Sequence, residues 1–170
     1  ISDNLRFFAG AARHLEGKSA GEYEKGFTSF IRREPLGVTV GICPWHYPLM
    51  MAIWKIGPAL AAGNTSIIKP AALTPRTTLR LAELSQDILP PGVFNVVTGH
   101  GSEIGDQLVK HPLVRLVSVT GDTATGKIIA SNAGSSNVKR VHLELGGKAP
   151  VIVFDDANLE SLIETLKFAG

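Results

Sequence analysis

Leu113-Val114-Arg115-Leu116-Val117-Ser118-Val119-Thr120 is followed by Gly121-Asp122 and then by Thr123-Ala124-Thr125-Gly126-Lys127. Leu113 to Thr120 reads as a strand, the Gly-Asp pair as its turn, and Thr123 to Asn132 as a helix. The same alternation continues on both sides. Toward the N-terminus, Leu36 to Ile42, with Val38 and Val40, reads as a strand that feeds a Pro44-Trp45-His46-Tyr47-Pro48 loop. An apolar helix from about Leu49 to Ala62 follows, kinked or restarted at Pro58. Thr65 to Lys69 is a short strand, and Thr74-Pro75 reads as an N-cap with proline in the first helical position, opening a helix to about Ile88. Phe94 to Val97 is a strand and Ser102 to Lys110 a helix. Toward the C-terminus, Val138 to Glu144 and Val151 to Phe154 read as strands, and Asn158 caps a last helix. Upstream of all of these, Ser2-Asp3 offers an N-cap to a helix carrying Leu5, Phe8, Ala12 and Leu15. The polar segment 18–34 reads as a hairpin or arm.

Strands alternating with helices predict an α/β fold: parallel βαβ units, right-handed crossovers and a doubly covered sheet with helices on both faces. Ligands of such sheets bind at the carboxyl ends of the strands. Attention therefore falls on Cys43-Pro44-Trp45-His46, Lys69-Pro70, Gly99-His100-Gly101, Thr120-Gly121-Asp122 and Glu144-Leu145-Gly146-Gly147.

The length, 170 residues, fits one domain or part of a larger one. With 44% apolar and 19% charged residues the chain is not disordered, and its 18 Gly and 10 Pro are dispersed rather than periodic, which excludes collagen-like repeats. The longest uncharged stretch, between Glu34 and Lys55, is broken by Pro35, Pro44 and Pro48, so no spanning helix and no membrane role is expected. The net charge is +2, and Arg32-Arg33 and Lys139-Arg140 are the basic runs; nucleic acid is not an expected partner. One cysteine, Cys43, excludes an internal disulfide, and with no visible signal peptide a reducing, cytoplasmic setting is expected. Both ends look cut: the chain begins at Ile1, and the last helical pattern stops at Phe168-Ala169-Gly170.

Several segments carry candidate chemistry. Gly99-x-Gly101-x-x-x-Gly105 follows a strand and opens a helix, either as a backbone approach to a phosphate or as a tight turn. Gly121 to Lys127 matches a phosphate loop up to its last position, where Ile128 replaces the Ser or Thr that holds Mg²⁺, which argues against triphosphate hydrolysis. His142 and Glu144 alternate with Val141, Leu143 and Leu145, so a carboxylate projects at a strand end beside a glycine turn, as a general base requires. Lys69 suits ribose or phosphate, or simply solvent. Cys43 reads as a small buried thiol. The five histidines lack ligand spacing, so no metal site is expected.

Together these segments resemble the aldehyde dehydrogenase family. The resemblance runs from Arg6-Phe7-Phe8-Ala9-Gly10 to Asp155-Asp156-Ala157. It is carried by Arg33-Glu34-Pro35-Leu36-Gly37-Val38, Pro44 to Pro48, Trp54-Lys55-Ile56-Gly57-Pro58 through Asn64, Pro91-Gly92-Val93-Phe94-Asn95, Thr120-Gly121 and Leu143-Glu144-Leu145-Gly146-Gly147-Lys148. Phe7-Phe8-Ala9-Gly10-Ala11-Ala12-Arg13 with Gly21-Glu22-Tyr23 is most similar to the aminoaldehyde and γ-aminobutyraldehyde group.

The resemblance implies a Rossmann-like NAD(P)-binding domain over 35–170, with its N-terminal helix at 1–17 and part of an oligomerisation arm at 18–34. It also implies oxidation of an aldehyde, with NAD, or NADP, as cofactor and a dimeric or tetrameric parent. Glu144 is implied as the base, Lys55 as an aid to proton transfer, and His46 as the oxyanion donor, standing where the family has Asn. Trp45, Lys69, Ala72, Gly101, Gly105, Thr120, Gly121, Asp122, Leu145 and Gly146 are implied at the cofactor, and Tyr47 and Trp54 at the aldehyde. Ala72 replaces a Glu that grips ribose hydroxyls, and Asp122 replaces a common Ser beside the pyrophosphate. The family's nucleophilic cysteine lies beyond the Glu-Leu-Gly-Gly motif and has no match here, so the chain alone is expected to be inactive.

Overall fold

A computed structural model describes residues 1–19, 21–147 and 149–169. Lys148 of the Glu-Leu-Gly-Gly-Lys motif and the terminal Gly170 lie outside the described residues. The elements are α1 (Ser2–Ala11), β1 (Val38–Ile42), α2 (Pro48–Ala61), β2 (Thr65–Lys69), α3 (Arg76–Ser85), β3 (Phe94–Val96), α4 (Asp106–Lys110), β4 (Val114–Thr120), α5 (Thr123–Ser136), β5 (Arg140–Glu144) and α6 (Leu159–Ala169).

The strands form a parallel sheet in the order β3-β2-β1-β4-β5. Strand order reverses between β1 and β4, so the crevice at their carboxyl ends is the switch point at which such sheets take ligands. Parity along each strand divides the core. Val40, Val117 and Val119 pack with Val109 of α4 and with Ile129 and Ala133 of α5. Ile68 and Cys43 pack on the opposite face with Met51, Ala52 and Ile56 of α2. Helices thus lie on both faces, but β5 shows Arg140, His142 and Glu144 to solvent in strict alternation with half-buried Val141 and Leu143.

Buried Asn64 ties the entry of β1 to the end of α2. Its Oδ1 accepts from the N–H groups of Leu36 (2.6 Å) and Gly37 (3.0 Å), and its Nδ2 donates to the Ala59 carbonyl (3.2 Å). Lys139 is also buried, and its ammonium donates to the carbonyls of Val109 and His111 and to Ser136 Oγ, satisfying the end of α4. Among the described residues of 18–34, isolated antiparallel bridges join Ser19 with Phe30 and Glu24 with Phe27, and Tyr23, Phe27 and Phe30 are exposed.

The structure corrects several local expectations. Val151–Phe154 joins neither edge of the sheet and is exposed throughout; an apolar run suits a strand, but only a neighbouring ladder makes one. Thr74 does not cap α3: Pro75 holds the N-cap position in helical conformation, and Thr74 Oγ1 is buried with no hydrogen-bond partner among the described residues. The α-helix ends at Ser85 rather than near Ile88, the chain continuing in turns. Ile1, not Ser2 or Asp3, is the N-cap of α1. α2 continues through Pro58 to Ala61. The helix expected from Ser102 opens as a π-helical turn, Gly101–Gly105, before α4. Asn158 does cap α6, accepting from the Ser161 N–H at 3.0 Å.

α1 docks on α2 where Gly57 leaves room for Phe8: a Cβ at Gly57 would lie 2.2 Å from Phe8 Cδ2. Gly57→Ala is therefore expected to lower stability by about 1–3 kcal/mol, read as a reduced urea midpoint with unchanged slope. An unchanged midpoint would mean that Phe8 does not pack there.

Candidate functional site

The site grows from the register of β1, β4 and β5. Gly41 pairs with Ser118, Ser118 with His142, and Thr120 with Glu144. These residues share the face that carries α2. Lys55 descends from α2 onto this row, and its stem occupies the space a side chain at position 41 would need: a Cβ there would lie 3.0 Å from Lys55 Cδ and 2.5 Å from Ile68 Cδ1. Lys55 Nζ donates to Thr120 Oγ1 (2.9 Å) and Ser118 Oγ (3.2 Å). Ser118 Oγ lies 3.3 Å from His142 Nδ1, and His142 Nε2 lies 3.5 Å from Glu144 Oε1.

These groups line a cavity of about 360 Å³ together with His46, Met51 and Trp54. The Glu144 side chain is 64% exposed, so water reaches it, while its backbone carbonyl accepts from the Gly121 N–H at 3.0 Å. His46 comes from the loop after β1, between Trp45 and Tyr47, whose rings stand edge-on to it. Tyr47 begins α2 in the left-handed conformation, φ 43° and ψ 47°, a region costly for a side chain with a Cβ. Trp45 and Tyr47 are exposed and Trp54 half-exposed, Trp54 facing the cavity.

A second cavity, about 440 Å³, opens on the other side of the switch point between α4 and α5. Gly101 and Gly105 line it with Ile42, Val109 and Ile128. A Cβ at either glycine would meet nothing within 4 Å, even though Gly105 is buried, so the bare backbone leaves open space along this slot. At the start of α5, Gly121 leads into Asp122, the N-cap residue, whose carboxylate accepts from the Thr125 N–H (2.9 Å) and Oγ1 (2.6 Å). Leu145 packs against Gly126, where a Cβ would lie 2.6 Å from Leu145 Cδ2; Gly146 follows, exposed. Lys69 is not a surface lysine: it is 4% exposed and its ammonium donates to the Pro70 carbonyl at 3.1 Å. Ala72 is exposed in the turn beyond.

Burial governs the electrostatics. It pushes the Cys43 thiol up to about 11, against the pull of the Lys55 and Lys69 ammoniums. It lowers both lysines, with Cys43, and for Lys55 also Glu144, acting in the opposite sense. The Thr125 hydrogen bonds hold the Asp122 carboxyl below its usual range. Sequence reasoning missed Ser118 and His142 as cavity residues. The signal was present, since each lies two residues before a chosen one, Thr120 and Glu144, and so on the same face. No group of three or more potential metal-ligating side chains occurs among the described residues.

The fold belongs to a known class. The Aldehyde dehydrogenase family model matches residues 1–170, and the chain belongs to that family. The solved structure of PnpE from Pseudomonas sp. WBC-3 is similar at 46% identity and a TM-score of 0.93, over 98% of this chain and 34% of that one. An aldehyde dehydrogenase from Brucella melitensis biovar abortus 2308 is similar at 40% identity and a TM-score of 0.93, over 98% and 34%. An aldehyde dehydrogenase from Bacillus cereus, solved as its NAD⁺ complex, is similar at 41% identity and a TM-score of 0.89, over 95% and 33%. The chain spans about a third of the length of these structures.

Two predictions follow from the geometry. Because the Asp122 carboxyl is held below its usual value in the folded state, its contribution is present above the unfolded carboxylate range and is lost as pH falls through the folded value. Asp122→Ala should therefore lower thermal stability near neutral pH, with the difference from wild type vanishing in acid; a difference independent of pH would exclude the cap. Cys43 should react with iodoacetamide at pH 8 at least about tenfold more slowly in the folded chain than in urea, since the thiolate is the nucleophile. Equal rates would show that the thiol is accessible.

Proposed function

We propose that this chain is the dinucleotide-binding part of an NAD(P)⁺-dependent aldehyde dehydrogenase. The observation that carries the reading is the convergence of His46, Lys55, Thr120 and Glu144 on one cavity at the carboxyl ends of β1, β4 and β5. In the reaction, a thiolate adds to the aldehyde carbonyl, a hydride leaves the adduct, and water releases the resulting thioester as the acid. Bound NAD(P)⁺ supplies the hydride acceptor.

The slot walled by Gly101 and Gly105 fits the adenine end of a dinucleotide, and the start of α5 at Gly121 and Asp122 fits the pyrophosphate, with Trp45, Leu145 and Gly146 alongside. Lys69 is the lysine assigned to the adenosine ribose, and serving there requires its ammonium to exchange the Pro70 carbonyl for a ribose hydroxyl. Ala72 offers no carboxylate to select hydroxyls there, so NADP⁺ is accepted beside NAD⁺.

Glu144 is exposed to the cavity and takes the proton from the attacking water. Lys55, held by Thr120 and Ser118, orients the groups around it and assists proton transfer. His46 donates an imidazole N–H to the developing oxyanion. Tyr47 and Trp54 present aromatic faces at the opening, which favours an aldehyde carrying a protonated amine, such as 4-aminobutanal, by cation–π attraction of roughly 0.5–2 kcal/mol. Cys43 does not serve as the nucleophile, being buried with its thiol pushed up to about 11. The 170-residue chain by itself therefore binds dinucleotide without turnover, and the hairpin at 18–34 is part of an arm that joins copies of the parent into a dimer or tetramer in the cytoplasm.

In the whole dehydrogenase carrying this segment, Glu144→Gln should reduce steady-state oxidation of 4-aminobutanal by about 10²–10⁴-fold while the first-turnover burst of reduced cofactor persists. Unchanged turnover would remove Glu144 from its role. Titration calorimetry of the 170-residue chain with NAD⁺ and with NADP⁺ should give heat with both; heat with neither would remove the dinucleotide reading.

A further inference from the structure

The role of α1 is not explained by the cofactor slot or by the groups that move protons. Along α1, Asn4 and Phe8 are half-buried while Ile1, Leu5 and Phe7 are exposed. Residues four apart share a helix face, so Asn4 and Phe8 form one stripe against α2. Trp54 and Gly57 of α2, three apart, form the matching stripe. At one contact the Phe8 ring fills the space over Gly57. At the other, Trp54 Nε1–H donates to Asn4 Oδ1.

An amide at an inward-facing helix position is an unusual choice where a leucine would bury more apolar surface. The partner explains it. Indole has a single N–H donor, so the acceptor that takes it fixes where the ring points. Trp54 lines the cavity of His46, Lys55 and Glu144, and it also lines the adjoining cavity of about 320 Å³ between α2 and the open face of β4. It is 48% exposed, so packing alone does not lock its ring. The two spaces share Trp54, Lys55, Ser118 and His142 in their walls, so the direction of the indole bears on the width of each.

We propose that Asn4 is a positioning residue that holds the Trp54 indole and thereby sets the width of the channel by which the aldehyde reaches Glu144 and Lys55. This rests on the aldehyde-channel reading above and adds to it a determinant of substrate size on α1, outside the cavity. The role requires the acceptor oxygen and not the amide nitrogen, so Asn4→Asp should preserve it and Asn4→Ala should abolish it.

The test has two independent readouts. In the 170-residue chain carrying Trp45→Phe, a single indole Nε1–H signal remains. Asn4→Ala should shift that signal and speed its exchange with solvent about fivefold, while Asn4→Asp should leave it slow. In the whole dehydrogenase, Asn4→Ala should raise KM for 4-aminobutanal about fivefold relative to a bulkier aldehyde such as phenylacetaldehyde, with kcat for each changed less than twofold, and Asn4→Asp should restore the wild-type ratio. An indole signal indifferent to Asn4→Ala overturns the hydrogen bond and the proposal with it. A shifted signal with an unchanged KM ratio overturns the specificity role. Wild-type enzyme that oxidises no aldehyde overturns the parent reading, and the specificity role falls with it, whereas the indole result then still reports the Asn4 contact alone.

Discussion

The in-register parallel pairing of β4 with its neighbours is the constraint on which the site depends. Because β1, β4 and β5 run in one direction, their carboxyl ends lie along one edge, and because register is kept from Thr39 onward, past a shift that skips Arg115, Gly41, Ser118 and His142 form a row with Thr120 and Glu144 one step beyond. Side chains alternate across a sheet, so a slip of one residue in β5 would send His142 and Glu144 to the face of α5 and bring Val141 and Leu143 into the cavity. The valines opposing that slip, Val117 and Val119, are almost fully buried against α4 and α5. The apolar face therefore holds the polar face in place.

Lys55 depends on the same row through the smallest residue in it. Its stem lies over Gly41, which lets a long cationic side chain run flat on the sheet and reach Thr120 and Ser118. Burial of that stem lowers the lysine, and the hydroxyl oxygens of Ser118 and Thr120 give its ammonium acceptors. Cys43 and Lys69 continue this buried belt at the ends of β1 and β2, joined by a hydrogen bond from the Cys43 N–H to the Lys69 carbonyl (3.0 Å). The belt puts the chain's thiol in the structural interior and leaves His46, His142 and Glu144 as the exposed titratable side chains of the cavity.

Much of this was legible in the residues. The alternation of strands with helices identified a parallel sheet, and the polar–apolar alternation of β5 pointed to Glu144. What was not legible depended on partners. Val151–Phe154 has strand composition, yet composition does not supply a neighbour. Thr74 has capping chemistry, but the helix begins one position later, after Pro75 takes the N-cap. Lys69 looked like a solvated side chain because burial of a lysine follows from where the next turn folds, here over Pro70. Asn4 and Trp54 are fifty positions apart, and nothing in either segment alone announces that they meet.

Asp122 has a further consequence for how an anion meets α5. The positive end of a helix attracts negative charge through its free N–H groups, but here a fixed carboxylate already occupies the cap and takes one of them. The pull of that helix end on a further anion is thereby weakened before any ligand arrives. Lys69, at the end of β2, is buried and directed to a carbonyl, whereas the Lys55 ammonium lies 2.9 Å from Thr120 Oγ1, two residues before the cap. An anion arriving at this edge therefore meets a carboxylate and an ammonium close together, so its net electrostatic steering is small and its capture should respond little to ionic strength.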